Sequence, residues 1–239
     1  MAKSSSFAEP GHKLLFMFGG LILVVIGFCE LFANLISFLP GNNGWASPPG
    51  VPAETFINTL AHARAAYLSW GLFTIVDFLF LPVIVALYFA FKDINRDALL
   101  VGLILLLSTA LLDAAVAEVG FFTATSLSVS WAAATDASLK AAYFVAAQQA
   151  VMLTEFAFPY SFAGSFAGIA IIAAVMRKGW RWIGWFGLIG GAFFSVSSAL
   201  FMIPATSFMG AFIPLGVFFL FIFAVAAGIR LTILGVRTA

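Results

Sequence analysis

Five acidic residues, Glu30, Asp77, Asp113, Glu118 and Glu155, stand inside long apolar runs that carry no Lys, Arg or His at comparable positions. If those runs cross a bilayer, an unpaired carboxylate near the centre costs several kcal/mol, so such side chains turn toward a protein interior or water. With no basic partner, three states are open: the carboxyls stay protonated, share protons with one another, or hold a cation. One buried acid alone reads most simply as hydrogen-bond glue between helices. Five without basic partners point to an ion- or substrate-binding role for at least one of them. Asp77 and Asp113 are the leading candidates, and Glu118 and Glu155 the more interfacial ones. Gln148 lies seven residues before Glu155, two helical turns away on the same face, and extends the polar track. Asn34, four residues beyond Glu30, does the same on its own segment.

Other chemistries find no complete set of residues. His12 and His62 lie outside the apolar runs or at their entrance, which argues against haem held by paired histidines and against a His-rich metal site. The single Cys29 can form neither an intramolecular disulfide nor a Cys-pair metal site. Ser165 after Gly164 has no histidine at its depth to activate it. Asp113 follows Leu111 and Leu112, so Asp77 and Asp113 lack the Gly-x-Gly-Asp setting of intramembrane aspartic proteases, and no phosphate-cradling glycine loop is present. The 29 Phe residues read as a lipid-facing surface or core in preference to a pocket for a lipid, quinone or carotenoid. The expectation is a non-enzyme without cofactor or metal. A net charge of +1 with no basic stripe excludes nucleic acid as a partner.

The elements that position these residues follow from composition. Of 239 residues, 63% are hydrophobic and 9% charged, with a mean hydropathy of +1.11, whereas a soluble domain carries roughly a quarter charged residues. Runs of about 20 apolar residues match the hydrocarbon thickness of a bilayer. The pattern predicts an all-α, single-domain polytopic membrane protein, a bundle of six transmembrane helices over about 14–39, 65–91, 98–122, 154–176, 183–203 and 211–234. The first run is too long for a signal-peptide core and has no small-x-small cleavage site behind it, so it reads as a signal anchor. Nine of the eleven Lys and Arg fall on one side, and only Arg64 and Lys140 on the other. The positive-inside rule then places both termini in the cytoplasm of a plasma membrane. Trp180, Trp182 and Trp185 sit where a span leaves that interface.

An outer loop over 40–64 holds four of the nine prolines and is expected to fold over the outer mouth. Residues 138–153 are either an interfacial amphipathic helix or an outward extension of span four, with Pro159 kinking the junction; the continuous helix is favoured. Gly164 with Gly168, and Gly187 with Gly191, have the spacing that lets helix backbones approach closely, here within one chain. The acidic residues of the first three spans have no counterparts in spans five and six, so an inverted repeat is not expected. At 1.5 Å per residue, Asp113 lies about 5 Å and Glu118 about 12 Å beyond the middle of span three. Glu30 and Glu155 also fall in the outer half, with Asp77 near the midplane. The carboxylates are therefore expected to line an acidic vestibule open to the outside, formed by spans one to four.

The layout resembles the six-span bacterial membrane family catalogued as domain of unknown function 4386. The likeness rests on the long loop after span one, the Ala-rich polar segment before span four, and Arg177-Lys178-Gly179-Trp180-Arg181-Trp182 leading into Gly187-Leu188-Ile189-Gly190. Gly179 stands where members often have proline. The resemblance implies a fold type and no activity or site residues.

The leading expectation is a small proton- or cation-coupled secondary transporter or permease taking a small cationic or neutral ligand, with Asp77 and Asp113 central. The alternative is a non-catalytic membrane subunit or lipid-binding protein. Its carboxylates would lock helices together or dock a membrane-protein partner or a second copy of the chain. In either case the bilayer is a partner.

Overall fold

The computed structural model describes residues 12–37, 51–176, 180–201, 203, 208 and 211–237; these are helical apart from short connections, with no strand among them. The helices are α1 (Lys13–Ser37), α2 (Ala53–His62), α3 (Arg64–Phe91), α4 (Arg96–Leu112), α5 (Val119–Ala133), α6 (Ala137–Val175), α7 (Arg181–Phe201) and α8 (Ile213–Arg237), with a π-helical turn over Asp113–Glu118 joining α4 to α5 in one rod. Among the described residues six helices are long and apolar enough to cross a membrane: α1, α3, the α4–α5 rod, α6, α7 and α8. On α1 the side chains of Leu14, Phe18, Leu21, Val25, Phe28, Phe32 and Leu35 are exposed at alternating steps of three and four. A continuous apolar stripe of this kind is a lipid-facing surface. The chain is built as a multi-pass membrane protein.

The six long helices close into a ring. Going round it, α1 packs on α3, α3 on α4, α4 on α6, α6 on α7, α7 on α8, and α8 returns to α1. Every neighbour pair but the closing one is consecutive among the spans, the arrangement that short connections favour. The ring interior is one apolar cluster including Phe16, Leu23, Val83, Leu106, Phe166 and Phe194. Lipid is as apolar as these side chains, so close packing must supply the cohesion. Glycines permit it. A Cβ on Gly20 would fall on the Gly228 carbonyl oxygen, and one on Gly228 would meet Gly20's carbonyl in return, which seats α8 directly on α1. Gly164 packs on Thr109 and Gly168 on Leu106 and the Gly102 carbonyl; Gly187 packs on Phe223 and Ala173, and Gly191 on the Phe166 carbonyl. Both small-residue pairs noted in the sequence thus make contacts within the chain.

Two helices overshoot their expected length. The α4–α5 rod spans 38 residues and α6 spans 39, nearly 60 Å each at 1.5 Å per residue, about twice the hydrocarbon thickness. The third span, expected to end near 122, runs on as helix to Ala133, and Ala124 and Trp131 pack against α2 and α6 in a second apolar core. Of the two alternatives for 138–153, the continuous helix is observed: α6 begins at Ala137 and keeps Pro159 in its interior. The expected outer loop falls partly outside the described residues; its part from 53 to 62 is helix α2. Phe56, Ile57 and Leu60 of α2 are buried beside Trp70, Phe121 and Trp131, capping the end of the ring away from Lys13, Lys92, Arg96 and Arg230.

Asp136 caps α6, its carboxylate accepting from the Leu139 amide at 2.9 Å and the Ser138 hydroxyl at 2.6 Å. Those two donors, Ser138's first, hold the Asp136 carboxyl below its ordinary range. A carboxyl lowered in the folded state contributes stability above its unfolded pKa, and loses it as pH falls through the folded one. The first turn of α6 should therefore fray in acid. Asp136→Ala should produce the same fraying at neutral pH, read as faster amide exchange at Leu139 and Lys140. At the α1–α8 contact, Gly228→Ala should lower stability in detergent by about 1–3 kcal/mol through overpacking. Gly71→Ala is its control, because nothing lies within 4 Å of a Cβ added there. Thermal unfolding of the two variants side by side checks the assignment.

Candidate functional site

Asp113 and Glu118 are the two ends of the π-helical turn. On a regular α-helix, residues five apart project about 140° from each other and would face different neighbours. The i→i+5 bonding of a π-turn brings the fifth residue nearly over the first. The extra residue therefore turns both carboxylates to one side, toward α3. There Asp77 completes a group in which one ligand atom from each of Asp77, Asp113 and Glu118 lies within 4.8 Å of the others.

The neighbouring helix seats the turn from the other side. Gly120 leaves room for Thr154 of α6, whose hydroxyl lies 3.2 Å from the Ala117 carbonyl oxygen inside the π-turn. Two turns further along α6, Ser161 donates to Asp113 Oδ1 at 2.7 Å. All three elements that carry the group have an interrupted helical ladder close to it: Pro82 in α3, the π-turn, and Pro159 in α6. Such irregular backbone is tolerated at membrane depth only where protein buries it, and it recurs at functional positions.

Asp113 and Glu118 are buried, at 3% and 1% exposure, and Asp77 is half-buried. Asp77 Oδ2 and both oxygens of Glu118 make no hydrogen bond. The Thr74 hydroxyl beside Glu118 donates to the Trp70 carbonyl at 3.0 Å. Among the described residues no Lys, Arg or His joins the cluster. Arg64 is exposed at the start of α3, His62 bonds the Asn58 carbonyl, and the Lys140 ammonium rests over the Trp131 ring at 4.9 Å. An ionised carboxylate without a partner is among the costliest groups to bury, so neutrality here requires protons, a cation, or both.

A small void of about 10 Å³ adjoins the group, lined by Glu30, Asp77, Asp113 and Ser165 and walled by Phe rings, among them Phe73 and Phe162. Glu30 is tied to its own helix: Asn34 donates to its carbonyl at 2.8 Å and to its carboxylate at 3.2 Å. Ser165 shares a 2.8 Å hydrogen bond with Thr109. Toward α2 the site is closed by aromatics. Trp70 stacks on Phe121 at 4.5 Å and tilts against Phe158 at 5.2 Å. Each of these stands one or two turns outward from Asp77, Glu118 and Ser161 respectively. The expected open vestibule is not seen among the described residues; the carboxylates lie beneath an aromatic layer.

Of the residues singled out in the sequence, Glu30, Asp77, Asp113 and Glu118 come together. Glu155 and Gln148 lie on α6 nearer its N-terminal end and belong neither to the carboxylate group nor to the void. Ser161 was not anticipated, and Ser165 only as a nucleophile, not as a wall of the void. Serines in an apolar helix carry no signal until a neighbouring helix presents a carboxylate or a hydroxyl. Comparison with family models, with curated proteins and with solved structures gave no match.

A hydrogen-bonded carboxyl and one buried without a partner respond oppositely to substitution. Glu118 makes no hydrogen bond, so Glu118→Met should raise thermal stability by about 1–3 kcal/mol, the desolvation penalty of the removed carboxyl. Ser161→Ala takes a donor away from buried Asp113 and should lower stability by a similar amount. Differential scanning fluorimetry of both variants in one detergent gives the two signs.

Proposed function

We propose that this chain is a proton- or cation-coupled secondary transporter whose coupling site is the Asp77, Asp113 and Glu118 group. The observation that carries this reading is the convergence of three carboxylates from α3 and the π-turn to within 4.8 Å, with three of their oxygens unpartnered and no basic residue among them. Carboxylates kept in this state in a membrane protein are costly, and they mark ion and proton pathways. Their place at one end of the ring interior, between the aromatic closure and a central apolar cavity, supports gating around a fixed site. The distribution of Lys and Arg supports both termini in the cytoplasm of a plasma membrane.

A second reading keeps some support. The Ser161–Asp113 bond joins α6 to the π-turn, and a non-catalytic subunit could use its acids as such cross-links. It leaves the unpartnered Glu118 without a purpose.

Carbodiimide attacks carboxyl groups in apolar surroundings, and mass spectrometry locates the adduct. Labelling at Asp77 or Asp113 that a particular cation suppresses is the expected result. Asp77→Asn and Asp113→Asn should abolish that suppression while the protein remains folded and extractable. Labelling indifferent to every cation, or an Asp77→Asn variant that merely loses yield, would remove the coupling site in favour of the structural reading.

A further inference from the structure

The ring encloses a second void, of about 40 Å³, lined by residues of all six long helices, including Leu23, Val83, Leu106, Ile172, Phe194 and Val217. Its lining is apolar except for Glu30. Glu30, Phe80, Phe166 and Ile169 line both voids, so the carboxylate pocket and the apolar cavity meet at one partition. One side offers anionic acceptors and aromatic walls in a space for a single water-sized group. The other offers space for about three such groups and almost no polar partner.

Each half excludes a class of occupant. An inorganic cation would fill the acidic pocket and leave the apolar cavity empty and unexplained. A neutral apolar molecule would fill the cavity and leave Asp77 and Glu118 unpartnered. A hydrated metal ion also fits poorly, because the void has room for one water-sized group and none for a shell of waters. A primary ammonium group is compact, carries three N–H donors and is attracted to aromatic faces. Three carboxylate residues, Glu30, Asp77 and Asp113, line the pocket to receive those donors. Glu118, 1% exposed with neither oxygen bonded, stands behind that lining within 4.8 Å of Asp77 and Asp113. A short hydrocarbon chain on that ammonium would extend along the shared wall of Glu30, Phe80, Phe166 and Ile169 toward the cavity.

We propose that the composite site binds a primary alkylammonium ion, its –NH3⁺ among Glu30, Asp77 and Asp113 and its short hydrocarbon body in the central cavity. This rests on the carboxylate group being a cation site and names the class of substrate.

The test is calorimetric titration of the purified full-length protein with methyl-, ethyl-, propyl-, butyl- and hexylammonium, beside Na⁺, K⁺ and Ca²⁺. Each methylene that enters the cavity should tighten binding about fourfold, up to propyl- or butylammonium, after which affinity should stop rising. Val217→Phe, which fills the cavity, should move the optimum to shorter chains, and Val217→Ala should move it to longer ones. Neither residue change touches a carboxylate, so carbodiimide protection by small cations should persist in both variants. An affinity independent of chain length, an optimum that neither variant moves, or tightest binding by an inorganic ion would overturn the alkylammonium assignment while leaving a cation site in place. Absence of protection or heat with every cation, organic or inorganic, would overturn the assignment together with the coupling site.

Discussion

Carboxylates resist burial, and this structure buries two of them with a third close by and, among the described residues, no basic side chain to answer them. Removing a charge of this kind from water costs several kcal/mol even after a protein relaxes around it. Much of the local architecture can be understood as tolerating that cost. The π-turn turns Glu118 to the same side as Asp113, and Ser161 satisfies one oxygen of Asp113. The remaining oxygens are left open.

The ring around the group is held by small residues together with a few hydroxyl contacts, Ser69 to the Ala33 carbonyl, Thr109 with Ser165 and Ser195 to the Ala163 carbonyl. Gly20 against Gly228, Gly164 against Thr109 and Gly191 against the Phe166 carbonyl bring backbones close enough for dispersion to act over the length of each helix. Dense packing at the helix contacts contrasts with the axis, where two voids meet at Glu30.

At the α2 end, the Trp70, Phe121 and Phe158 layer and the helix packed beside it separate the carboxylates from that surface. These rings come from α3, α5 and α6, the elements that also carry Asp77, the π-turn and Ser161. A change at the site would reach the closure through rods only one or two turns long. Pro82 and Pro159 sit close to the same level, where missing backbone donors reduce the resistance of α3 and α6 to bending.

Six apolar runs were legible in the sequence because the bilayer imposes a length on each span, and apolar length is a local property. The isolation of Glu30, Asp77, Asp113 and Glu118 from any basic residue was equally legible, since it needs only residue types and their depth. The sequence did not indicate α2, because Phe56, Ile57 and Leu60 acquire a buried face only when α5 lies against them. It could not separate Glu155 and Gln148 from the group, because depth alone does not say which way a side chain points. The pairing of Asp113 with Glu118 was hidden for a related reason: on an α-helix their spacing sets them on different faces, and one extra residue in a turn, held by the packing of Thr154 and Gly120, reverses that outcome. Local composition therefore determined that this protein crosses a membrane carrying unpaired acids. Only tertiary packing, which sets the rotation of each helix about its own axis, decided which of those acids meet.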